Sequence, residues 1–160
     1  MTAPRRARQG GAAGRGLIMS DEHSLQVEIV TPDGSVYTGS SSMVIVPGVE
    51  GELGFLPRHE PLVSLVAIGE ARVQLPDGIW ERFATGIGYV QVLFDKVLLV
   101  VDQAEQAGAI DVARAEAARK RADERLALRG DPGAHAEVDF YKAEQALRRA
   151  ENRLKVAARV

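Results

Sequence analysis

The residues best suited to chemistry in this 160-residue chain are four arginines and an aspartate near its carboxyl end. If this part is helical, a rotation of about 100° per residue places Asp111, Arg114 and Arg121 on one face. Arg149 and Arg153 are four residues apart, so they would be neighbours on a second helix. Arginine forks match phosphate oxygens, which makes this set a candidate anion site. The same spacing also fits solvated helix faces with weak ion pairs, and spacing alone leaves both interpretations open.

Residues for hydrolytic, redox or metal chemistry are sparse. The chain has no cysteine, which excludes disulfides and thiolate metal sites. Its three histidines, His23, His59 and His135, are scattered, and no pair has metal-ligand spacing. The serine run at 40–42 lacks the context of a nucleophile elbow. A small enzyme therefore has little support in the sequence.

A glycine-rich stretch at 47–62 resembles a phosphate loop only superficially. Its glycines begin at Gly48 and recur every third residue, but no Gly-Lys-Ser/Thr follows, and Glu50 and Glu52 would repel a phosphate. We predict a tight strand connection whose glycines allow left-handed backbone or close approach. Glu52 and His59 should lie on or beside its tip, where contact residues accumulate.

The net charge of −2 is a sum of unlike segments. Residues 1–18 carry four arginines and no acidic residue, residues 19–103 carry four basic and twelve acidic residues, and residues 104–160 carry twelve basic and ten acidic ones. Sixteen of the 23 alanines also lie in the last segment. These differences predict an N-terminal extension over 1–23, a β domain over 24–104 and a helical domain over 105–160.

The N-terminal segment has no apolar core of the length that a secretory signal needs. An Arg-rich transit peptide is an alternative, although such peptides are usually longer and richer in serine. Met19 resembles an alternative start, so we expect a disordered or over-annotated extension. No apolar run approaches the roughly 18 residues of a membrane span.

The middle segment is typical of short β-strands separated by turns. Leu25, Val27 and Ile29 alternate with polar residues, and Pro-Asp-Gly at 32–34 and 76–78 predicts turns. The further strands are predicted at Met43–Val46, Leu62–Ala67, Ala71–Leu75, Ile79–Thr85, Tyr89–Leu93 and Val97–Val101. Many short strands at this spacing indicate an antiparallel sandwich or a flattened barrel.

After Gly108 the apolar residues follow a helical period. Asp111 can cap a first helix whose seam is Ala115, Ala118, Ala122 and Leu126, and glycines and a proline at 130–133 should end it. A second helix should begin near Asp139, with its seam at Phe140, Ala143, Leu147, Ala150, Leu154 and Ala157. Two such helices should pair as an antiparallel hairpin. Because alanine buries little area, we expect loose pairing that would let the hairpin leave one packing for another.

Taken in order, these signals resemble the epsilon subunit of F-type ATP synthases over residues 24–159. The matching residues are Val-Thr-Pro-Asp-Gly at 30–34, Pro47-Gly48, Gly51-Glu52-Leu53-Gly54, Leu56-Pro57, His59, Pro61-Leu62, Asp95-Lys96-Val97, Ile110-Asp111-x-x-Arg114-Ala115 and Ala150-x-Asn152-Arg153-Leu154-x-Val156-Ala157. Each match is weak by itself, whereas their order and spacing together are highly specific. One departure is Gly88 in Thr85-Gly86-Ile87-Gly88-Tyr89, where many relatives carry Ser-Gly-Gly-Phe.

The resemblance implies an antiparallel β-sandwich of two five-stranded sheets followed by a two-helix hairpin. It implies a non-catalytic subunit of the central rotor stalk that binds the gamma subunit and the ring of c subunits and helps couple proton flow to ATP synthesis. The helices, extended toward the alpha and beta subunits, would inhibit ATP hydrolysis. The protein would lie at the cytoplasmic face of the bacterial plasma membrane, held there only through the complex.

The resemblance also implies regulatory ATP binding, with no cofactor required. The residues carried over to that site are Glu105, Ile110, Asp111, Arg114, Ala115, Arg121, Arg149 and Arg153. Glu52 and His59 are the implied contacts to the c-ring and gamma subunit. The alternative is a stand-alone protein-binding module. Nucleic acid is not an expected partner, because the β domain is acidic and the helical part only weakly basic.

Overall fold

The computed structural model describes residues 24–133 and 137–160, where ten strands precede two helices. The strands are β1 (Leu25–Thr31), β2 (Gly34–Ser41), β3 (Met43–Gly48), β4 (Gly51–Phe55), β5 (His59–Val66), β6 (Gly69–Gln74), β7 (Trp80–Thr85), β8 (Gly88–Phe94), β9 (Lys96–Val101) and β10 (Ala104–Gln106). The helices are α1 (Val112–Ala127) and α2 (Phe140–Ala157). The expectations for 1–23, for Met19 as a start, and for His23 and His135 fall outside the described residues.

The strands form two five-stranded sheets that are joined at one residue pair. The first sheet has the order β4-β3-β6-β7-β10, and the second has the order β5-β8-β9-β1-β2. Gly48 of β3 lies opposite Val66 of β5 where the two meet. The predicted sandwich is confirmed, with one departure: β1 pairs parallel to β9, because the long chain between them returns β9 to the edge of the β1–β2 hairpin.

The core lies between the two sheets and follows the strand alternation. Leu25, Val27 and Ile29 of β1 are buried, as their spacing predicts, and Phe55 and Phe83 are the largest fully buried side chains. A single apolar cluster joins these residues across the sandwich. The sandwich therefore has a core of its own, built without any residue of the two helices.

Three strands were absent from the predicted set: β2, β4 and the three-residue β10, which pairs with β7. β2 contains two glycines and three serines and lies at a sheet edge, where it pairs with β1 alone. β4 lies inside the stretch 47–62, which was predicted to be only a connection, and its partner β3 supplies its register. The glycines of β2 and β4 and the serines of β2 favour strands only weakly, so the pairing partners of these two strands help to set their conformation.

The glycines of the β3–β4 turn perform the two predicted tasks. Gly51 adopts a positive φ of 139°, which favours glycine. A Cβ on Gly48 would collide with the carbonyl oxygen of Gly51, so Gly48 allows close approach instead. The turn is therefore a tight β-hairpin with no helix following it.

Both predicted helices are present and each begins at the predicted aspartate. Oδ1 of Asp111 accepts the backbone N–H of Arg114, and Oδ1 of Asp139 accepts that of Lys142, both at 3.0 Å. The Lys142 N–H holds the pKa of Asp139 below its ordinary value. α1 ends at Ala127 and continues as a 3-10 turn over Leu128–Gly130, in agreement with the predicted stop.

The helices pair along alanines, as predicted. Ala115 and Ala122 of α1 and Ala143 and Ala150 of α2 are buried. At the end of the hairpin far from the sandwich, Nη2 of Arg129 donates to Glu144 Oε1 at 2.5 Å. This contact lowers the pKa of Glu144.

The hairpin lies against the first sheet through the face of α2 that carries Asn152 and Val156. Val156 is fully buried in a cluster with Ala84, Ala107 and Ile110. Nδ2 of Asn152 donates to the Gly69 carbonyl oxygen at 2.7 Å. These contacts connect the second helix to β6 and β7. The sheet therefore sets the positions of the arginines on α2.

We predict that Gly88→Ala destabilises the sandwich. A Cβ at this position would overlap the Val100 carbonyl oxygen of β9, so β8 would have to move away from its partner. The free energy of unfolding, measured with urea, should fall by about 2–3 kcal/mol. Gly108→Ala is the control, since a Cβ there meets nothing within 4 Å. Equal effects of the two changes would contradict the prediction.

Candidate anion site between the hairpin and the sandwich

A cavity of about 270 Å³ lies where α1, α2 and the end of the β domain meet. Its lining residues are Glu105, Ala109, Asp111, Arg114, Ala115, Ala118, Arg121 and Arg153. Three guanidinium groups and two carboxylates therefore face the same space, and the remaining lining residues are alanines. Because these alanine side chains are small, they leave an open space between the arginines.

The sequence around the start of α1 explains how one helix contributes most of this lining. Asp111 is the N-cap, and Arg114 follows within the first turn. Ala115 and Ala118 lie one turn and about two turns along, and Arg121 continues the same face. Ala115 belongs to the helix seam as well, so the cavity borders the contact between the two helices.

Arg153 reaches the cavity from α2 and is held by the β domain. Its Nε donates to Glu105 Oε1 at 2.8 Å, and its Nη2 donates to Gln103 Oε1 at 2.9 Å. Glu105 lies in β10, which pairs with β7. The guanidinium is therefore fixed relative to the sheet, and it joins the hairpin to the sandwich at the wall of the cavity.

The other two arginines of the cavity have no such partner. Within residues 24–133 and 137–160, neither Arg114 nor Arg121 forms a side-chain hydrogen bond or an ion pair. Asp111 already caps the N-terminus of α1, so the attraction for an anion comes from the arginines rather than from a free helix end. The cavity can accept an anion that engages two unpaired guanidinium groups and the remaining donors of Arg153.

Two residues of the expected ATP set lie elsewhere. The structure brings six of the eight together at the cavity, but not Ile110 and Arg149. Ile110 is buried against Val156 in the contact with the sandwich. Arg149 is half-buried on α2, one turn before Arg153, and does not line the cavity.

Some contributors were not found from the sequence. Ala109 and Ala118 line the cavity, and Gln103 helps to hold Arg153. Ala118 had a signal, its place in the helical period, but that period indicates a seam as readily as a cavity wall. Gln103 lies between β9 and β10 and has no sequence signal of its own.

Neither Glu52 nor His59 lines this cavity, and the two lie at opposite ends of the strands β4 and β5. Glu52 Oε2 accepts from Arg72 Nη2 at 2.6 Å, next to the β3–β4 turn. The His59 ring packs edge-on against Phe55, with centroids 5.1 Å apart, and the backbone of His59 lies opposite Phe94 of β8. The structure therefore gives these two residues separate surroundings.

The outer face of the second sheet carries an exposed apolar surface. Val63 and Leu65 of β5 are 67% and 64% exposed, and Tyr89 and Leu93 lie on the same face of the neighbouring strand β8. Phe94, opposite His59, is also exposed. We call this set the β5–β8 apolar face. Exposed apolar surface of this kind marks protein contacts.

Residues 24–133 and 137–160 lack two features that would indicate other classes of function. No group of three or more His, Asp or Glu side chains in 24–133 and 137–160 is placed to hold a metal ion. Neither described helix combines the length and the hydropathy that a membrane crossing requires.

Comparison with known proteins matches both parts of the chain to one family. Residues 24–107 match the beta-sandwich domain of the ATP synthase delta/epsilon chain, and residues 109–158 match its long alpha-helix domain. The ATP synthase epsilon chain of Halalkalibacterium halodurans is 44% identical over 136 residues, which are 85% of this chain and 98% of the relative. The epsilon chain of Desulforamulus reducens is 40% identical over 132 residues, 82% of this chain and 96% of the relative.

A solved structure has the same fold at lower identity. It is a chain of the Euglena gracilis mitochondrial ATP synthase, from a structure of OSCP, F1 and the c-ring, with a TM-score of 0.70 and 18% identity. The match covers 100% of this chain and 91% of that chain.

We predict that Asp111 stabilises α1 through its cap, independently of any ligand. Asp111→Ala should lower the opening free energy of α1, measured by amide hydrogen exchange, by about 1 kcal/mol. Asp111→Ser should restore most of the loss, because the hydroxyl accepts the same N–H. Asp123→Ala, an exposed change in the middle of α1, is the control. If it matches Asp111→Ala, the cap contributes nothing measurable.

Proposed function

The chain belongs to the ATP synthase delta/epsilon chain family, and from this membership we propose that it is the regulatory epsilon subunit of the rotor stalk. In this role it is not catalytic. It binds the gamma subunit and the c-ring, and helps couple proton flow to ATP synthesis. Its helices inhibit ATP hydrolysis when they extend toward the alpha and beta subunits. It lies at the cytoplasmic face of the bacterial plasma membrane, attached through the complex.

The observation that carries the regulatory part is the nature of the hairpin's contacts. The two helices meet along alanines, which bury little apolar area per contact. Against the sandwich, the hairpin has one small apolar cluster around Val156, and the other contacts are side-chain hydrogen bonds. Such contacts can be exchanged for others at moderate cost, which a hairpin with two packings requires.

The anion cavity supports ATP as the regulatory ligand. A triphosphate carries several negative charges, and the cavity offers the two unpaired guanidinium groups of Arg114 and Arg121 beside Arg153. Because Arg153 is also bound to Glu105 and Gln103, a ligand that orders this arginine favours the docked hairpin. ATP would therefore oppose release of the helices.

The β5–β8 apolar face supports a contact with the gamma subunit. Its exposed valine, leucine and tyrosine side chains are suited to burial against another protein. His59 pairs with Phe94 at the end of this face, so we assign His59 to the gamma contact. Glu52 and the exposed Val49 lie at the opposite, β3–β4 end, which we assign to the c-ring.

The second candidate is a stand-alone protein-binding module, favoured only by the same apolar face. The two family matches together span residues 24–107 and 109–158, and the relatives are aligned over nearly their full lengths, which favours the rotor subunit. Co-purification with alpha, beta and gamma subunits separates the two. Failure of the chain to bind an isolated gamma subunit would contradict the rotor assignment.

We predict that the full chain binds ATP through the cavity arginines. In isothermal titration, Arg121→Ala and Arg153→Ala should each weaken binding about tenfold, because each removes charge-assisted hydrogen bonds to phosphate. Arg125→Ala, an exposed change one turn beyond Arg121, should leave the affinity unchanged. If millimolar ATP gives no heat signal, the prediction is wrong, and the arginines only form solvated faces of the two helices.

The Arg149→Ala variant tests whether ATP binds to the cavity as observed or to a cavity that rearranges on binding. Arg149 does not line the cavity, so a site with the observed geometry predicts little change in ATP affinity. A loss as large as that of Arg153→Ala would mean that α2 rotates or shifts when ATP binds.

We predict that deletion of residues 109–160 leaves the complex assembled and raises its rate of ATP hydrolysis. Assembly should survive because the sandwich core and the β5–β8 apolar face contain no residue of the hairpin. Hydrolysis should rise because the inhibitory helices are gone. Unchanged hydrolysis by an assembled complex would remove the inhibitory role.

A further inference from the structure

A buried carboxylate lies between the first sheet and the chain's carboxyl end. The side chain of Glu70, in β6, is only 6% exposed. Arg82 Nη1 donates to its Oε1 at 2.6 Å, and Arg159 Nη1 donates to its Oε2 at 2.9 Å. The Nε of Arg72 lies 3.8 Å from Oε1. Two arginines of the sheet and one arginine beyond the end of α2 therefore converge on one carboxylate.

The charges of the sheet favour a carboxylate at this position. Arg72 and Arg82 lie directly opposite each other on β6 and β7, and like charges in that register destabilise a sheet. Glu70 lies on the same face of β6 as Arg72 and offsets both charges together with Glu52, which binds Arg72 at 2.6 Å. The role of Glu70 in the sandwich therefore does not depend on the hairpin.

The two carboxylate oxygens divide their partners between the sandwich and the hairpin. Oε1 faces Arg82 and Arg72, whereas Oε2 receives Arg159. If the hairpin leaves, Glu70 keeps its ion pair with Arg82. The release therefore avoids leaving a buried charge unpaired, which would cost several kcal/mol. Arg159, whose side chain is 44% exposed, returns to water. This contact can open and close without damage to the sheet.

We propose that Glu70 and Arg159 form a clamp that sets the fraction of molecules with a docked hairpin. The clamp lies beyond Val156, whereas Arg153 and the anion cavity lie before it. It therefore acts without nucleotide and adds to any effect of ATP. The proposal rests on the proposed function in one respect, that the released hairpin is the inhibitory form.

Hairpin release can be measured in the full chain by thiol reactivity. The chain has no cysteine, and Ala84 is buried under Val156 on the face that α2 covers. A cysteine in place of Ala84 reacts with an alkylating reagent only when the hairpin lifts, so the alkylation rate follows even a small released fraction. A cysteine in place of Ala71, inside the sandwich core, reports unfolding of the sandwich instead.

In the Ala84→Cys background, Arg159→Ala should raise the alkylation rate about fivefold, the effect of one partly exposed ion pair. Arg159→Lys should recover part of the loss. Lys155→Ala removes an exposed positive charge from the last turn of α2 and should leave the rate unchanged. In the Ala71→Cys background, Arg159→Ala should also leave the rate unchanged. Equal rates for Arg159→Ala and Lys155→Ala would overturn the clamp.

Glu70→Gln should raise the Ala84→Cys rate more than Arg159→Ala does, because Arg72 and Arg82 would then repel Arg159. In the assembled complex, Arg159→Ala should lower ATP hydrolysis, since more hairpins are released. If the thiol rate rises and hydrolysis stays constant, the clamp stands and the inhibitory role fails. If the thiol rate stays constant, the clamp fails whatever the hydrolysis result.

Discussion

The burial of Val156 against Ala84, Ala107 and Ile110 is the contact on which the arrangement of the hairpin depends. Asn152 lies one helical turn before Val156 and Arg159 almost one turn after it, so all three face the sheet together. Arg153, beside Asn152, is thereby directed to Glu105 and Gln103 at the cavity. The burial of Val156 thus brings these polar groups to the sandwich, where their hydrogen bonds define the rotation of α2.

The fold could be predicted where side chains on one element carry its signal. Leu25, Val27 and Ile29 alternate, and Asp111 and Asp139 precede apolar periods, so these elements have local causes. β2 and β4 could not be predicted in this way. Their glycines and polar residues become strands because β1 and β3 offer unpaired backbone groups, and that cause is not contained in their own segments.

The candidate site was predictable to the extent that it lies on one helix face. Asp111, Arg114, Ala115 and Arg121 follow from the helical period and from the family resemblance. Three features do not follow from either: Arg149 does not line the cavity, Gln103 holds Arg153, and Arg159 pairs with Glu70. Each of them depends on how α2 is seated on the sheet, which is a contact between residues far apart in sequence.

The sandwich core and the contact between the hairpin and the sheet are two separate apolar clusters. The sandwich core holds the larger share of buried side chains, and the cluster around Val156 is small by comparison. A small apolar contact has little directional preference, so hydrogen bonds and ion pairs must supply the specificity of docking. Charged groups also respond directly to bound ligands and to screening by salt. A hairpin held in this way keeps one defined docked position, and under the proposed function its docking equilibrium would respond to an anion in the cavity.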